Sequence, residues 1–88
     1  MVVQLEERAE LMIARVNALS GAGRVPEARL AAQDLVRDAE RDLGAESMLS
    51  LRAKNTLTWQ TFLQGEVKQA EAMARAQQLV LDRVLGKQ

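Results

Sequence analysis

In an 88-residue chain that has no cysteine, histidine or tyrosine, few side chains could do chemistry. Glu66, Lys68, Glu71, Arg75 and Asp82 supply the carboxylates and cations that acid–base catalysis would need. Their spacing places them along solvated helix faces, as in ordinary helical charge pairs, and converges nothing on a cleft. Without imidazole or thiolate there is no usual general base, thiol nucleophile, disulfide framework or common zinc site. Gly21-Ala22-Gly23 has no lysine and no preceding strand, so it reads as a turn and not as a phosphate loop. The expectation is therefore a non-catalytic chain with no cofactor and no metal. The other available chemistry is recognition. Trp59 and Phe62, the only aromatic residues, lie in the stretch from Asn55 to Gly65. A large apolar area beside Asn55 and Arg52, which can fix a peptide backbone, has the make-up of an interface anchor. The opposing reading is that both rings fill space left by many alanines. The preference of large aromatics for burial tips the choice slightly toward core.

Composition narrows the partner classes. Twelve basic and twelve acidic residues cancel. No basic stripe is present to neutralise phosphates, so nucleic acid is not expected, and a DNA-contacting regulator is the weakest reading. No apolar run is long enough to cross a bilayer, and residues 1–10 lack the regions of a signal peptide, which fits a cytoplasmic setting. A hydrophobic fraction of 48% is enough for a small folded domain. Alanine and leucine supply most of it, and small side chains suit closely packed helices. One proline and five glycines leave long uninterrupted segments for helix.

Four segments must position these residues. From Val2 to Ser20, Leu5, Ala9, Met12, Ile13, Val16 and Leu19 recur at three- and four-residue spacing as one apolar stripe. Glycines at 21 and 23 end it. Pro26 and Glu27 suit the first turn of a second helix, whose buried face is Ala28, Ala31, Ala32, Leu35, Ala39 and Leu43. After Gly44, Ser47 is a ready N-cap for a third helix, Met48 to Gln64. That helix is apolar on more than one side, as expected of an element sandwiched between neighbours. Met48 and Met73 read as core filling. Past Gly65, Val67, Ala70, Met73, Ala74, Leu81, Val84 and Leu85 mark a fourth helix, closed by Gly86. Its far side, Ala72, Ala76, Leu79 and Val80, is more apolar than a solvent-facing surface should be.

The chain also repeats itself. Gly23 and Gly65 are separated by the same length of chain as Gly44 and Gly86. At that offset Val25 matches Val67, Ala28 matches Ala70, Ala32 matches Ala74, Arg41 matches Arg83 and Leu43 matches Leu85. This agreement points to an internal repeat. The glycine permits the tight inter-helix turn, and the alanine five residues later lets the helices approach closely.

Gly-x-Val-x-x-Ala at 23–28 and Gly-x-Val-x-x-Ala-Glu at 65–71, each preceded by a helix and followed by a charged one ending Leu-Gly, resemble tetratricopeptide repeats (TPR). The long spacing, with Arg-Asp-Leu-Gly at 41–44 and Asp-Arg-Val-Leu-Gly at 82–86, is similar to the kinesin-light-chain type and to long repeats in actinobacterial signalling ATPases and regulators. The chain departs from the pattern at Arg15, where the family's leucine is usual, and at Met12 and Lys54, which replace a bulky aromatic. Thr56 stands where the long form commonly has asparagine.

The resemblance implies an all-α fold of four antiparallel helices. These form two helix-turn-helix repeats, about 5–44 and 47–86, in a right-handed superhelix, a single domain over 1–88 expected to belong to a longer array. It implies a groove lined by the first helix of each pair. Arg52, Asn55, Trp59, Phe62 and Leu63 would face it, with Ile13 and Asn17 as repeat-one counterparts. The function it implies is that of a scaffold in a larger regulatory or signalling protein, binding a peptide or partner protein. A different class of reading is an up-down four-helix bundle that only homodimerises, with Trp59 and Phe62 buried. In either case the uncapped face at Ala72, Ala76, Leu79 and Val80 would self-associate, because repeat units bury their apolar faces on one another.

Overall fold

The computed structural model describes the backbone of residues 2–86 and the side chains of residues 7–86, so the expected packing of Leu5 lies outside the described residues. Four helices account for nearly all of it: α1 (Val2–Gly21), α2 (Val25–Leu43), α3 (Met48–Leu63) and α4 (Val67–Leu85), with no strand among the described residues. None of the helices is long and apolar enough to cross a membrane.

The helix boundaries follow from local chemistry. Gly23 and Gly65 adopt φ of 82° and 87°, a left-handed conformation in which a side chain would strain the backbone. The same hydrogen bonds recur around each glycine, at the offset of the sequence repeat. The N–H of Arg24 donates to Leu19 and that of Glu66 to Thr61, while Gly23 donates to Ser20 and Gly65 to Phe62. This is the wide-plus-tight pattern that satisfies the orphan carbonyls of a helix end. Pro26 sits in the first turn of α2, where no N–H is required. At α3, the Ser47 hydroxyl accepts the Ser50 N–H at 3.1 Å and donates to the Ser50 hydroxyl at 2.9 Å. Ser50 in turn donates to the Gly44 carbonyl at 2.7 Å. The fully buried Ser50 is thereby satisfied, and a cap of this kind contributes about 1 kcal/mol.

Cross-helix ion pairs fix the directions. Arg29 near the start of α2 reaches Glu66 just beyond α3, and Glu40 near the end of α2 meets Lys54 early in α3, so α2 and α3 are antiparallel. Arg83 near the end of α4 pairs with Glu46 ahead of α3, which sets the same relation for that pair. Helix α1 packs on α2 and α3, α2 packs on α3, and α4 packs on α3 alone. A closed up-down bundle would make α1 and α4 neighbours. Among the described residues they do not meet, and the helices form an open, flat layer of 40 × 33 × 17 Å. The closed-bundle expectation is corrected on that ground.

The core is built largely of alanine around one central leucine. Ala9, Ile13, Leu35 and Ala53 form one cluster, flanked by Met12, Val36 and Leu49. Val16, Ala28 and Ala32 form a second, flanked by Leu19, Ala31 and Leu57. Each cluster joins α1 and α2, and α3 contributes Ala53 to the first and Leu57 to the edge of the second. The two halves of the chain are thus welded by α3. Helix α4 is held more loosely, with Ala70 its only buried residue. Val67, Val84 and Leu85, read from the sequence as part of its packed face, are exposed because α4 has a neighbour on one side only.

Candidate functional site

Helix α3 positions Arg52, Asn55, Trp59, Phe62 and Leu63, the residues expected to face a partner. Its lower side (Ser50, Ala53, Gln60 and Thr61) is fully buried. Trp59 and Phe62 point the other way, at 54% and 44% exposure. The sequence reading that leaned toward core is therefore corrected, and the reason is packing room. The small side chains at 50, 53 and 61 let α3 sit directly on α1 and α2, and indole or phenyl groups would not fit beneath it. The rings stack on each other instead, with centroids 5.4 Å apart and planes 21° from parallel. Such offset pairs are worth about 0.5–1.5 kcal/mol beyond the area they bury, which preorganises a single apolar platform.

The platform forms one wall of an open groove of about 370 Å³. Asn55, Thr58, Trp59 and Phe62 line it from α3, and Val67, Ala70, Glu71 and Ala74 from α4. The opposite wall is thus α4, whereas the sequence reading looked to α1. Val67 and Glu71 belong to the site and were missed, since nothing in a single helix's periodicity says which neighbour stands beside it. Leu63 and Asn17 are exposed but line neither this groove nor the next.

An adjoining hollow is lined by Ile13, Met48, Leu51, Arg52, Asn55, Thr56, Gln77 and Leu81. Asn55 is common to both, so it stands on the ridge between them. Ile13, expected to touch a partner, is only 8% exposed and packs with Ala9, Leu35 and Ala53. It supports the surface from below, and its assignment to the contact face is corrected. Met48, expected in the core, is 56% exposed at this edge.

Arg52 is fixed by a two-point pair to Glu10, at 2.7 and 3.0 Å, that bridges α1 and α3 between positions one repeat apart. The hydrogen bonds from Arg52 hold the Glu10 carboxyl below its ordinary value and raise the Arg52 guanidinium. A carboxyl lowered on folding adds stability at neutral pH, and that contribution is lost as pH falls through the carboxylate range. The melting-temperature gap between the wild type and Glu10→Gln should therefore be widest near neutrality and close on acidification. A gap independent of pH would show that the pair is not formed in solution.

The hydroxyls of Thr56, Thr58 and Thr61 each donate to the carbonyl four residues back, at 3.0, 2.8 and 2.9 Å, so their protons are committed to the helix itself. Among the described residues no group of three or more acidic residues could hold a metal ion. The arrangement offers a stacked apolar platform, one amide and one carboxylate.

The chain matches no protein-family model, no curated protein and no solved structure. The functional reading therefore rests on the chain's own geometry.

A second hollow between α3 and α4, of about 240 Å³, is lined by Leu51, Lys54, Leu57, Thr58, Met73, Ala76, Gln77 and Val80. Of the residues expected to self-associate, Ala76 and Val80 line it, while Ala72 and Leu79 lie on exposed α4 surface, Leu79 at 70%.

Proposed function

We propose that this chain is a non-catalytic protein-interaction module, a tetratricopeptide-like helical repeat of a larger regulatory or signalling protein. It binds a peptide or partner protein through the α3 surface. The observation that carries the reading is the exposed Trp59–Phe62 stack. Exposing two large rings in a chain that has no other aromatic forfeits burial that alanine-rich packing could otherwise use, and such anchors supply much of the energy at protein interfaces. The recurrence of the inter-helix turn at the offset of the sequence repeat, and the open packing of α1 through α4, support the repeat reading.

The test is Trp59→Ala. Partners recovered on the wild-type chain and rebound in purified form should lose about 2 kcal/mol or more, roughly thirtyfold in affinity, with helicity and melting temperature nearly unchanged. A variant that binds as well as the wild type, or one that unfolds, would remove the anchor.

A second reading has its own observation. The hollow at Leu51, Leu57, Met73, Ala76 and Val80 is apolar and uncovered. Its lining residues Leu51, Thr58 and Gln77 correspond, one repeat earlier, to Ala9, Val16 and Leu35, which lie beneath α3. On this reading two copies meet through α4 as a homodimer. Sedimentation should then show a dimer that Val80→Glu, in the wall of the hollow, dissociates, and a monomer at high concentration would exclude it.

A further inference from the structure

We propose that the groove between α3 and α4 selects a partner segment carrying an arginine, seated with its guanidinium on the Trp59–Phe62 platform and against the Glu71 carboxylate. This rests on the interaction-module reading and names the chemistry of what that groove takes. The groove's charge is the starting point. Of its eight lining residues, Glu71 alone carries a formal charge. Two arginines near the groove are engaged elsewhere: Arg52 is held by Glu10, and Arg29 by Glu66 and Gln64. Lys68 and Arg75, three residues before and four after Glu71 on α4, form no ion pair with it within 4 Å. The exposed carboxylates of Glu10, Glu27 and Asp34 have arginine partners, whereas Asp82, like Glu71, has no cationic one and accepts only from Gln78. Among the described residues, Glu71 is therefore the one carboxylate of a groove that Trp59 and Phe62 also line, and it makes no ion pair within 4 Å.

Those two features favour the same ligand. The face of an aromatic ring carries negative potential and attracts a cation, tryptophan most strongly. A carboxylate at the opposite wall adds charge-assisted hydrogen bonds, for which a guanidinium offers a flat fork of donors. Arginine satisfies both at once, because its planar group stacks on a ring while its edge faces a carboxylate, whereas an ammonium is a strongly hydrated point charge. The rings stack on each other with planes 21° apart, and an outward ring face can receive a planar group. Asn55 at the rim can then hydrogen-bond the backbone of the segment. Val67, Ala70 and Ala74 form the apolar remainder of the groove, which suits aliphatic side chains flanking the arginine.

Three capped pentapeptides, acetyl-Ala-Leu-X-Leu-Ala-amide with X as arginine, citrulline or glutamate, separate the contributions when titrated against Trp59 fluorescence. Citrulline keeps the planar shape and removes the charge. Arginine is expected to bind about tenfold more tightly than citrulline, as summed cation–π and surface ion-pair contributions imply, with glutamate weaker still. Glu71→Gln, at an exposed position that does not threaten the fold, should weaken arginine binding several-fold more than citrulline binding and so reduce the arginine preference. If arginine and citrulline bind alike, or Glu71→Gln has no effect, the charge selection is wrong while the groove survives as an apolar binding site. If no peptide perturbs Trp59 at millimolar concentration, the selection and the groove reading both fail.

Discussion

Replacing Leu35 with alanine is expected to destabilise the chain by about 2–5 kcal/mol, the range for removing a fully enclosed leucine from a core that relaxes only partly. Leu35 is 1% exposed and is the largest side chain so thoroughly buried. It comes from α2 but packs with Ala9 and Ile13 of α1 and Ala53 of α3. The alanines around it have no length with which to fill the void. Against a total stability of about 5–10 kcal/mol for a domain of this size, the variant should be close to unfolding. Because Ala53 belongs to the second half of the chain, both halves should be lost together. Urea unfolding followed by circular dichroism should show a lower midpoint, an unchanged slope and one transition. Loss of only the first half, leaving a folded remainder, would mean that α3 does not weld the halves into one cooperative unit.

Gln60→Met is expected to act in the opposite direction. Gln60 is fully buried, and neither its Nε2 nor its Oε1 has a hydrogen-bond partner among the described residues. Enclosing an amide without partners costs about 1–3 kcal/mol by the measure of protein substitutions. Methionine has nearly the same length and shape, fills the same space and brings no polar atom. The variant should be more stable by about 1–3 kcal/mol, which for a domain of this size raises the melting temperature by several degrees per kcal/mol. A loss of stability would show that the amide is held by a partner in solution, and would make Gln60 a structural polar contact. The position is informative about the repeat. One repeat earlier the chain has Ala18, which is exposed, so the burial of Gln60 comes from the sandwiched place of α3 and not from its type.

What could be read from the sequence was what local chemistry decides. The glycines at 23, 44 and 65, Pro26 and Ser47 placed the turns and the helix starts, since each residue has a backbone or capping role that its neighbours do not alter. The two glycine turns were legible for the same reason, and most of the turn hydrogen bonds around Gly23 recur around Gly65. The side chains of α3 were harder. It carries apolar residues all round, so periodicity gave no direction for Trp59 and Phe62. Their exposure was decided by Ser50, Ala53 and Thr61, whose small size brings the helix down on its neighbours. Ile13 was misplaced because the same position serves a groove in one register and the core in another. Glu71 was read only as part of a solvated face. Recognising it as a wall of the site required knowing that α4 stands beside the rings.

The most direct measurement is collisional quenching of Trp59 by acrylamide in the folded, partner-free chain. An anchor waiting for a partner should be quenched with a rate constant near that of the urea-unfolded chain, and an arginine-bearing peptide should protect it. A folded chain in which acrylamide scarcely reaches Trp59, with the ring shielded before any partner is added, would place the aromatic pair in the core and contradict the interaction surface.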